Sequence, residues 1–373
     1  MAMHVSSAYI CPVRGLAGLE PPETTALRRA AASARGLGIE ALVLPVLEEA
    51  LLVPVKAKVR LLDGLASALE WASDAGLRVR IAFPAQRVLG LDWAAPYLVG
   101  GAATGTGGPV FTAGRLRHLK PYAWWKDPAI LRKRVAAFRE VAAALSGHPA
   151  LSGWILMDQV LTWSRPDPWT ADLLFRSYLA EVRERDEGAA VYLSLDWTEL
   201  SAPDAALLLA ARADGLRLTG LDHPRPVQSL SEDLIRGAVL SSVAEWLFER
   251  PVEVEAGWGP AETGDPDEMA EAARCLAGQD PAGLVWPSLM DPEPGLAGRP
   301  PWSLRPGLDR IGLLRPDGDP KPGIEGWLAE MRSTKPEPAA RDFIDLGRDE
   351  YLGDPRLHLD RLREHFRDRA RFQ

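Results

Sequence analysis

Eight short aliphatic runs, each followed by a longer amphipathic stretch, constrain this chain more than any other feature. The runs are Ser6 to Ile10, Ala41 to Pro45, Arg78 to Phe83, Gly153 to Met157, Ala190 to Leu195, Gly215 to Thr219, Val252 to Glu255 and Gly283 to Trp286. Helical patterns cover Pro22 to Arg35, Asp63 to Asp74, Pro128 to Ser146, Trp169 to Asp186, Pro203 to Arg212, Ser229 to Glu249, Pro266 to Leu276 and Gly323 to Met331. Parallel strands cannot be joined by tight turns, and a helix is the usual crossover between them. Eight such units close most economically into an α/β fold of the (β/α)8 TIM barrel type. At 373 residues the chain is long enough for one barrel with insertions or for two ordinary domains; the unit count selects the barrel.

Element boundaries carry their own signals. Asp127-Pro128 and Asp265-Pro266 place a capping carboxylate before a first-turn proline, and Ser229-Leu230-Ser231-Glu232 reads as a capping box. Glycines close helices in Arg35-Gly36-Leu37-Gly38 and Asp74-Ala75-Gly76. The connection after the third strand, Gln86 to Lys126, is the outlier: it contains Gly100-Gly101-Ala102-Ala103-Thr104-Gly105-Thr106-Gly107-Gly108 and ends at Tyr122-Ala123-Trp124-Trp125. Its glycines follow no phosphate-binding pattern, so it reads as a long flexible loop over the barrel mouth. The barrel is expected over residues 1–333 and a charged helical C-terminal extension over 334–373, where Leu359, Leu362 and Phe366 form one apolar stripe. That stripe is expected to pack on the barrel or on another subunit, which would make a homo-oligomer.

A net charge of -8, from 43 basic and 51 acidic residues, argues against a nucleic-acid partner. No apolar run is long enough to span a bilayer, so no membrane role is expected. Cys11 and Cys275 match no redox or metal spacing, and the six His do not cluster at strand ends. No metal and no organic cofactor is therefore expected. The segment Met1 to Ser7 lacks the marks of a signal peptide, which places the protein in the cytoplasm, or outside the cell if a leader has been removed ahead of it.

A parallel barrel carries its chemistry at the C-terminal ends of its strands. The fourth ends Gly153-Trp154-Ile155-Leu156-Met157-Asp158-Gln159, and the seventh Val252-Glu253-Val254-Glu255-Ala256-Gly257-Trp258. Upstream of the fourth lie Trp125-Lys126-Asp127-Pro128 and His148-Pro149-Ala150-Leu151-Ser152-Gly153-Trp154. In these segments the chain resembles clan A glycoside hydrolases, the group that includes the cellulases and β-mannanases. Further agreement comes from Asp222-His223-Pro224 and from Gly312 to Pro322, so that the resemblance covers most of residues 78 to 331.

The resemblance implies a retaining two-carboxylate mechanism on β-linked sugars. Glu255 stands at the nucleophile position, and Gln159, preceded by Asp158, stands where an acid/base Glu is expected. It also implies substrate contacts from His223, from Trp286 at the end of strand eight, from Trp258, and from Trp124 or Trp125, which as neighbours would not both face one pocket. No counterpart is found of the Arg that often follows strand two and supports the nucleophile. An amide neither donates a catalytic proton nor accepts one as a general base. Three readings of Gln159 follow: Asp158 acts through a shifted strand end, the Gln replaces a Glu by design, or the protein is a noncatalytic carbohydrate-binding relative. Glu253 shares the face of Glu255 and is read as a buried polar partner unless the register slips.

Overall fold

The structure is a computed structural model, and it describes residues 3–9, 24–52, 54–100, 108–220, 230–257, 266–304, 306–335 and 341–370. Strands β1 (His4–Ala8), β2 (Ala41–Pro45), β3 (Arg78–Phe83), β4 (Leu151–Leu156), β5 (Ala190–Asp196), β6 (Gly215–Thr219), β7 (Val252–Glu255) and β8 (Gly283–Trp286) follow one another around a closed parallel barrel. The ring is completed by β8 pairing with β1, with Ser6 opposite Val285. Helices α1 (Thr24–Gly36), α2 (Val55–Asp74), α3 (Pro128–Leu145), α4 (Pro168–Arg185), α5 (Asp204–Ala210), α6 (Leu230–Phe248), α7 (Pro266–Gly278) and α8 (Ile324–Ser333) form the outer layer. The expected α/β barrel is therefore present. Helix α2 starts eight residues before its expected first residue, Asp63, because its first turns leave Val55 and Val59 largely exposed and so hide the helical period.

Of the caps read from sequence, Asp127 acts as expected, Asp265 and Ser229 lie outside the described residues, and Asp167 adds a cap that was not read. Asp127 accepts from the Ala129 amide at 2.8 Å at the start of α3, and Asp167 accepts from the Thr170 amide at 3.0 Å at the start of α4. Outside the barrel, Phe83, Phe138, Trp154 and Tyr178 pack with ring centroids 4.8 to 5.8 Å apart. Trp154 is thus a core residue between β4 and the helices.

The β3–α3 connection corrects the expectation of a flexible loop. Segments Arg87–Val88, Leu91–Trp93, Gly108–Thr112, Arg115–Pro121 and Val99–Gly100 lie side by side, in that order, as a five-stranded sheet. Two tight hairpins build it, turning at Leu89-Gly90 (φ 51° and 71°) and Ala113-Gly114 (φ 49° and 71°). Two central residues at positive φ match the strand twist best, and each turn meets that need with one glycine. The strands, two to seven residues long, are too short for a period-two pattern to stand out. The insertion is fastened to the barrel by buried charge. Arg134 of α3 pairs with Glu48 at 3.1 Å and lies over the Trp124 ring, and the Tyr97 hydroxyl donates to Glu48.

Beyond the barrel, α9 (Arg348–Gly353) and α10 (Pro355–Ala370) wrap back onto it. Leu359, Leu362 and Phe366 are buried, Tyr351 donates to the Leu200 carbonyl at 2.8 Å, and Arg363 stacks over Trp197. The apolar stripe packs on the chain's own barrel, one of the two partners expected for it. Among the described residues no helix is long and apolar enough to cross a membrane, and no group of His, Cys, Asp and Glu is placed to hold a metal ion. Cys11 lies outside the described residues.

Candidate active site

Side chains alternate across a strand, so every second residue of each barrel strand points into the barrel. Ala8, Val43, Ala82, Ile155 and Val285, with Tyr192 beside them, form an apolar cluster there, separate from the outer core. Charged groups share this interior. Arg80 of β3 ion-pairs with Glu253 of β7, its guanidinium 4.7 Å from the centroid of the Tyr192 ring. Arg217 of β6 ion-pairs with Glu255. Interior glycines make room for them: a Cβ on Gly215 would lie 2.9 Å from the Tyr192 ring, and one on Gly283 would lie 3.3 Å from Glu253 Oε1. Glu253 and Glu255 thus occupy one face, the first as a buried structural partner and the second at the barrel mouth.

Around Glu255 the strand ends converge. Strand β4 stops at Leu156, and Met157 (φ 61°) and Gln159 (φ 59°) then adopt left-handed backbone on either side of Asp158. Side-chain alternation is lost there, and both Asp158 and Gln159 reach the same small pocket as Glu255, together with Thr219, Gly220, Arg87, Leu89 and Gly90. Left-handed conformations in residues with a Cβ are costly and concentrate at functional sites.

The electrostatics divide the two carboxyl groups. Glu255 is held by the Arg217 guanidinium. Burial works against the charge on Arg217, but the carboxylates of Glu255 and Asp158 outweigh it and hold its pKa above the ordinary arginine value. Asp158 is fully enclosed, and burial raises its pKa above the usual carboxylate range. Arg217, the Ser194 hydroxyl, which donates to Asp158 Oδ1 at 2.6 Å, and Arg87 pull the other way without cancelling that effect. Gln159 donates its amide to Thr219 Oγ1, whose own hydroxyl donates to the Leu195 carbonyl at 3.1 Å. Gln159 Oε1 is buried without a hydrogen-bonding partner in the protein.

Several sequence-derived site residues lie elsewhere. Trp286 is fully buried on the outer side of β8, because Val285 takes the inward position; its indole donates to the Ile311 carbonyl at 2.6 Å and its ring packs 5.1 Å from Trp327 of α8. It is a core residue and offers no face for a sugar. Trp124 is also fully buried, under Arg134, and Trp125 meets it edge-on at 5.8 Å, half-buried. Neither Trp124 nor Trp125 lines the pocket of Glu255. His223 and Trp258 lie outside the described residues.

Sequence reasoning missed Arg217, Ser194, Thr219 and Arg87. For Arg217 a signal existed: a lone charge in the middle of the apolar run Gly215 to Thr219. It supplies the guanidinium for Glu255 that was sought after strand two. Arg87 carried no such signal, because its place depends on the insertion sheet.

A second, larger cavity adjoins the first. It measures about 310 Å³ and is walled on one side by Arg87, Asp92, Val110 and Leu119 of the insertion sheet, and on the other by Gln159, Thr162, Trp163, Arg165, Asp196 and Thr198. Arg87 and Gln159 line both cavities.

No protein-family model matches the sequence, and no curated protein matches it either. Solved structures do. A GH5_18 protein from Streptomyces cattleya in complex with GlcNAc superposes with a TM-score of 0.70 at 17% identity, over 90% of this chain and 82% of that one. A GH5_18 protein from Bifidobacterium longum subsp. infantis gives 0.66 at 16% identity, over 90% and 81%. An exo-β-1,4-mannosidase from Opitutaceae bacterium strain TAV5 gives 0.69 at 16% identity, over 89% and 59%. At such identities the likeness is one of fold: this chain carries a (β/α)8 barrel similar to those of these GH5 structures.

Proposed function

We propose that the protein is a glycoside hydrolase that cleaves β-linked sugars with retention, Glu255 acting as nucleophile and Asp158 as acid/base. The observation that carries this reading is the opposite environment of two carboxyl groups in one pocket, one ion-paired to Arg217 and one driven toward its protonated form by burial. In the reaction, Glu255 attacks the anomeric carbon while Asp158 gives its proton to the departing glycosidic oxygen. Asp158 then takes a proton from the water that releases the sugar from Glu255. Gln159, fixed through Thr219, presents its unpartnered carbonyl to a sugar hydroxyl. The alternative reading is a noncatalytic carbohydrate-binding pseudoenzyme, favoured by the amide at position 159.

The test is hydrolysis of a panel of aryl β-glycosides and β-linked oligosaccharides by the unsubstituted chain and by Glu255→Gln, Asp158→Asn and Gln159→Glu. General acid–base catalysis contributes about 10²–10⁴-fold. The proposal expects Glu255→Gln to abolish turnover and Asp158→Asn to lower it by about that factor, least for activated aryl leaving groups. Sugar binding without hydrolysis by the unsubstituted chain or by Gln159→Glu would establish the pseudoenzyme instead.

A further inference from the structure

The insertion sheet carries a charge pattern unlike the rest of the chain. From Trp93 to Lys126 there is no Asp or Glu, while Arg115, Arg117, Lys120 and Lys126 are all cationic, in a protein whose net charge is -8. Strand pairing decides where these charges stand, because laterally paired residues share a face of the sheet and neighbours along a strand alternate. One face is apolar: Trp93 pairs in register with Phe111, and both are buried in the main core. On the other face Arg87 pairs with Asp92, Asp92 with Val110, and Val110 with Arg117, a single row across four strands. Arg115 and Leu119, two positions either side of Arg117 on its strand, share that face.

That row faces the 310 Å³ cavity, which Arg87, Asp92, Val110 and Leu119 line. From the opposite wall comes Arg165, exposed and in left-handed backbone (φ 49°). The charges around this space are held very differently. Arg87 lies between Asp92 at 3.2 Å and Asp196 at 3.7 Å, and Asp196 also accepts from the Thr198 amide at 2.9 Å and from its hydroxyl. These three ions satisfy one another. Arg117 and Arg165, by contrast, make no ion pair and no side-chain hydrogen bond among the described residues. Glu199 acts on Arg165 electrostatically, but burial, aided by Asp196, holds its pKa above the usual carboxylate range against the pull of Arg165 and of the Thr162 hydroxyl, which donates to it at 2.9 Å. It is therefore a weakened counter-charge.

We propose that this cavity is a subsite for an acidic sugar: Arg117 and Arg165, from opposite walls, bind the carboxylate of a β-linked uronic acid unit, and Val110, Leu119 and Trp163 supply the apolar surface for its ring. Guanidinium groups suit the task, because their forked donors match a carboxylate. Gln159 lines both this cavity and the pocket of Glu255, so the acidic unit is the neighbour of the one over Glu255. That the bound sugar is also cleaved rests on the proposed function; the preference for a charged sugar does not.

The test is calorimetric titration with β-1,4-linked dimannuronate and with its neutral counterpart mannobiose, on the unsubstituted chain and on Glu255→Gln, where turnover adds no heat. At low ionic strength the acidic disaccharide is expected to bind at least about tenfold more tightly than the neutral one, a preference that shrinks as salt is added. Arg117→Gln and Arg165→Gln should each reduce that preference by about 3- to 10-fold and leave mannobiose binding unchanged. Lys120→Gln, an equal loss of charge on the other face of the sheet, should change neither. Equal affinity for the two sugars, a preference that survives both arginine substitutions or falls as much with Lys120→Gln, or no binding of either sugar would overturn the subsite. Dimannuronate bound as expected but never cleaved leaves the subsite standing and counts against the hydrolase. Cleavage of neutral β-glycosides by a chain indifferent to both arginines sinks the subsite alone.

Discussion

Removing Glu253 tests the charged interior on which the site rests. Its carboxylate is 3% exposed and pairs with Arg80, itself 9% exposed, so both ions are out of water. In Glu253→Met the guanidinium of Arg80 keeps its place over Tyr192 but loses its counter-charge, and Arg217 lies close enough to repel it. Breaking one side of a buried pair costs about 3–5 kcal/mol, because the surviving charge stays desolvated. Stacking on Tyr192 is the same before and after the substitution and offsets none of this, so the net loss should be about 3–5 kcal/mol. Arg80→Met should cost a similar amount by stranding Glu253. The double variant removes both charges and replaces them with apolar volume, so it should lie within about 1–2 kcal/mol of the unsubstituted chain. Urea unfolding of all four proteins gives the coupling energy directly. Two single losses below about 1 kcal/mol, or losses that simply add in the double variant, would refute the claim that these charges stabilise each other inside the barrel.

Two further outcomes are expected. Asp158 has its pKa raised by burial, so its contribution to stability is complete below the ordinary carboxylate range and is lost as pH rises through the raised value. Asp158→Asn should therefore raise the thermal midpoint at pH 7 while leaving it nearly unchanged at pH 3 to 4; a gain independent of pH would contradict the buried-acid reading. Leu362→Ala, at a fully buried position of α10, should cost about 2–5 kcal/mol in urea unfolding with no change in sedimentation coefficient; a shift in association state instead would mean that the stripe joins subunits after all.

The strands were legible because their information is local. Five of the eight barrel strands begin and end at the residues read from sequence, among them Ala41–Pro45 and Gly215–Thr219. Runs of buried aliphatics between glycine and proline signals need no tertiary context. The insertion sheet was illegible for the opposite reason: its strands are short, and their pairing is set by partners on neighbouring segments. Trp286 shows the limit of analogy. Its position at a strand end was read correctly, but one step of the period-two alternation decides whether such a residue faces the pocket or the helices, and Val285 holds the inward place.

From sequence alone came the barrel, the placing of Glu255, Asp158 and Gln159 at strand ends, and the chemical fact that an amide at 159 cannot move a catalytic proton. Only the tertiary structure joined Arg217 to Glu255 and Ser194 to Asp158, left two left-handed residues on either side of Asp158, and set the tip of a hairpin against the pocket. The division has one physical cause. Strand and helix periods arise from neighbours along the chain, whereas charge pairing, desolvation and enclosure arise from residues tens to hundreds of positions apart that meet only when the barrel closes.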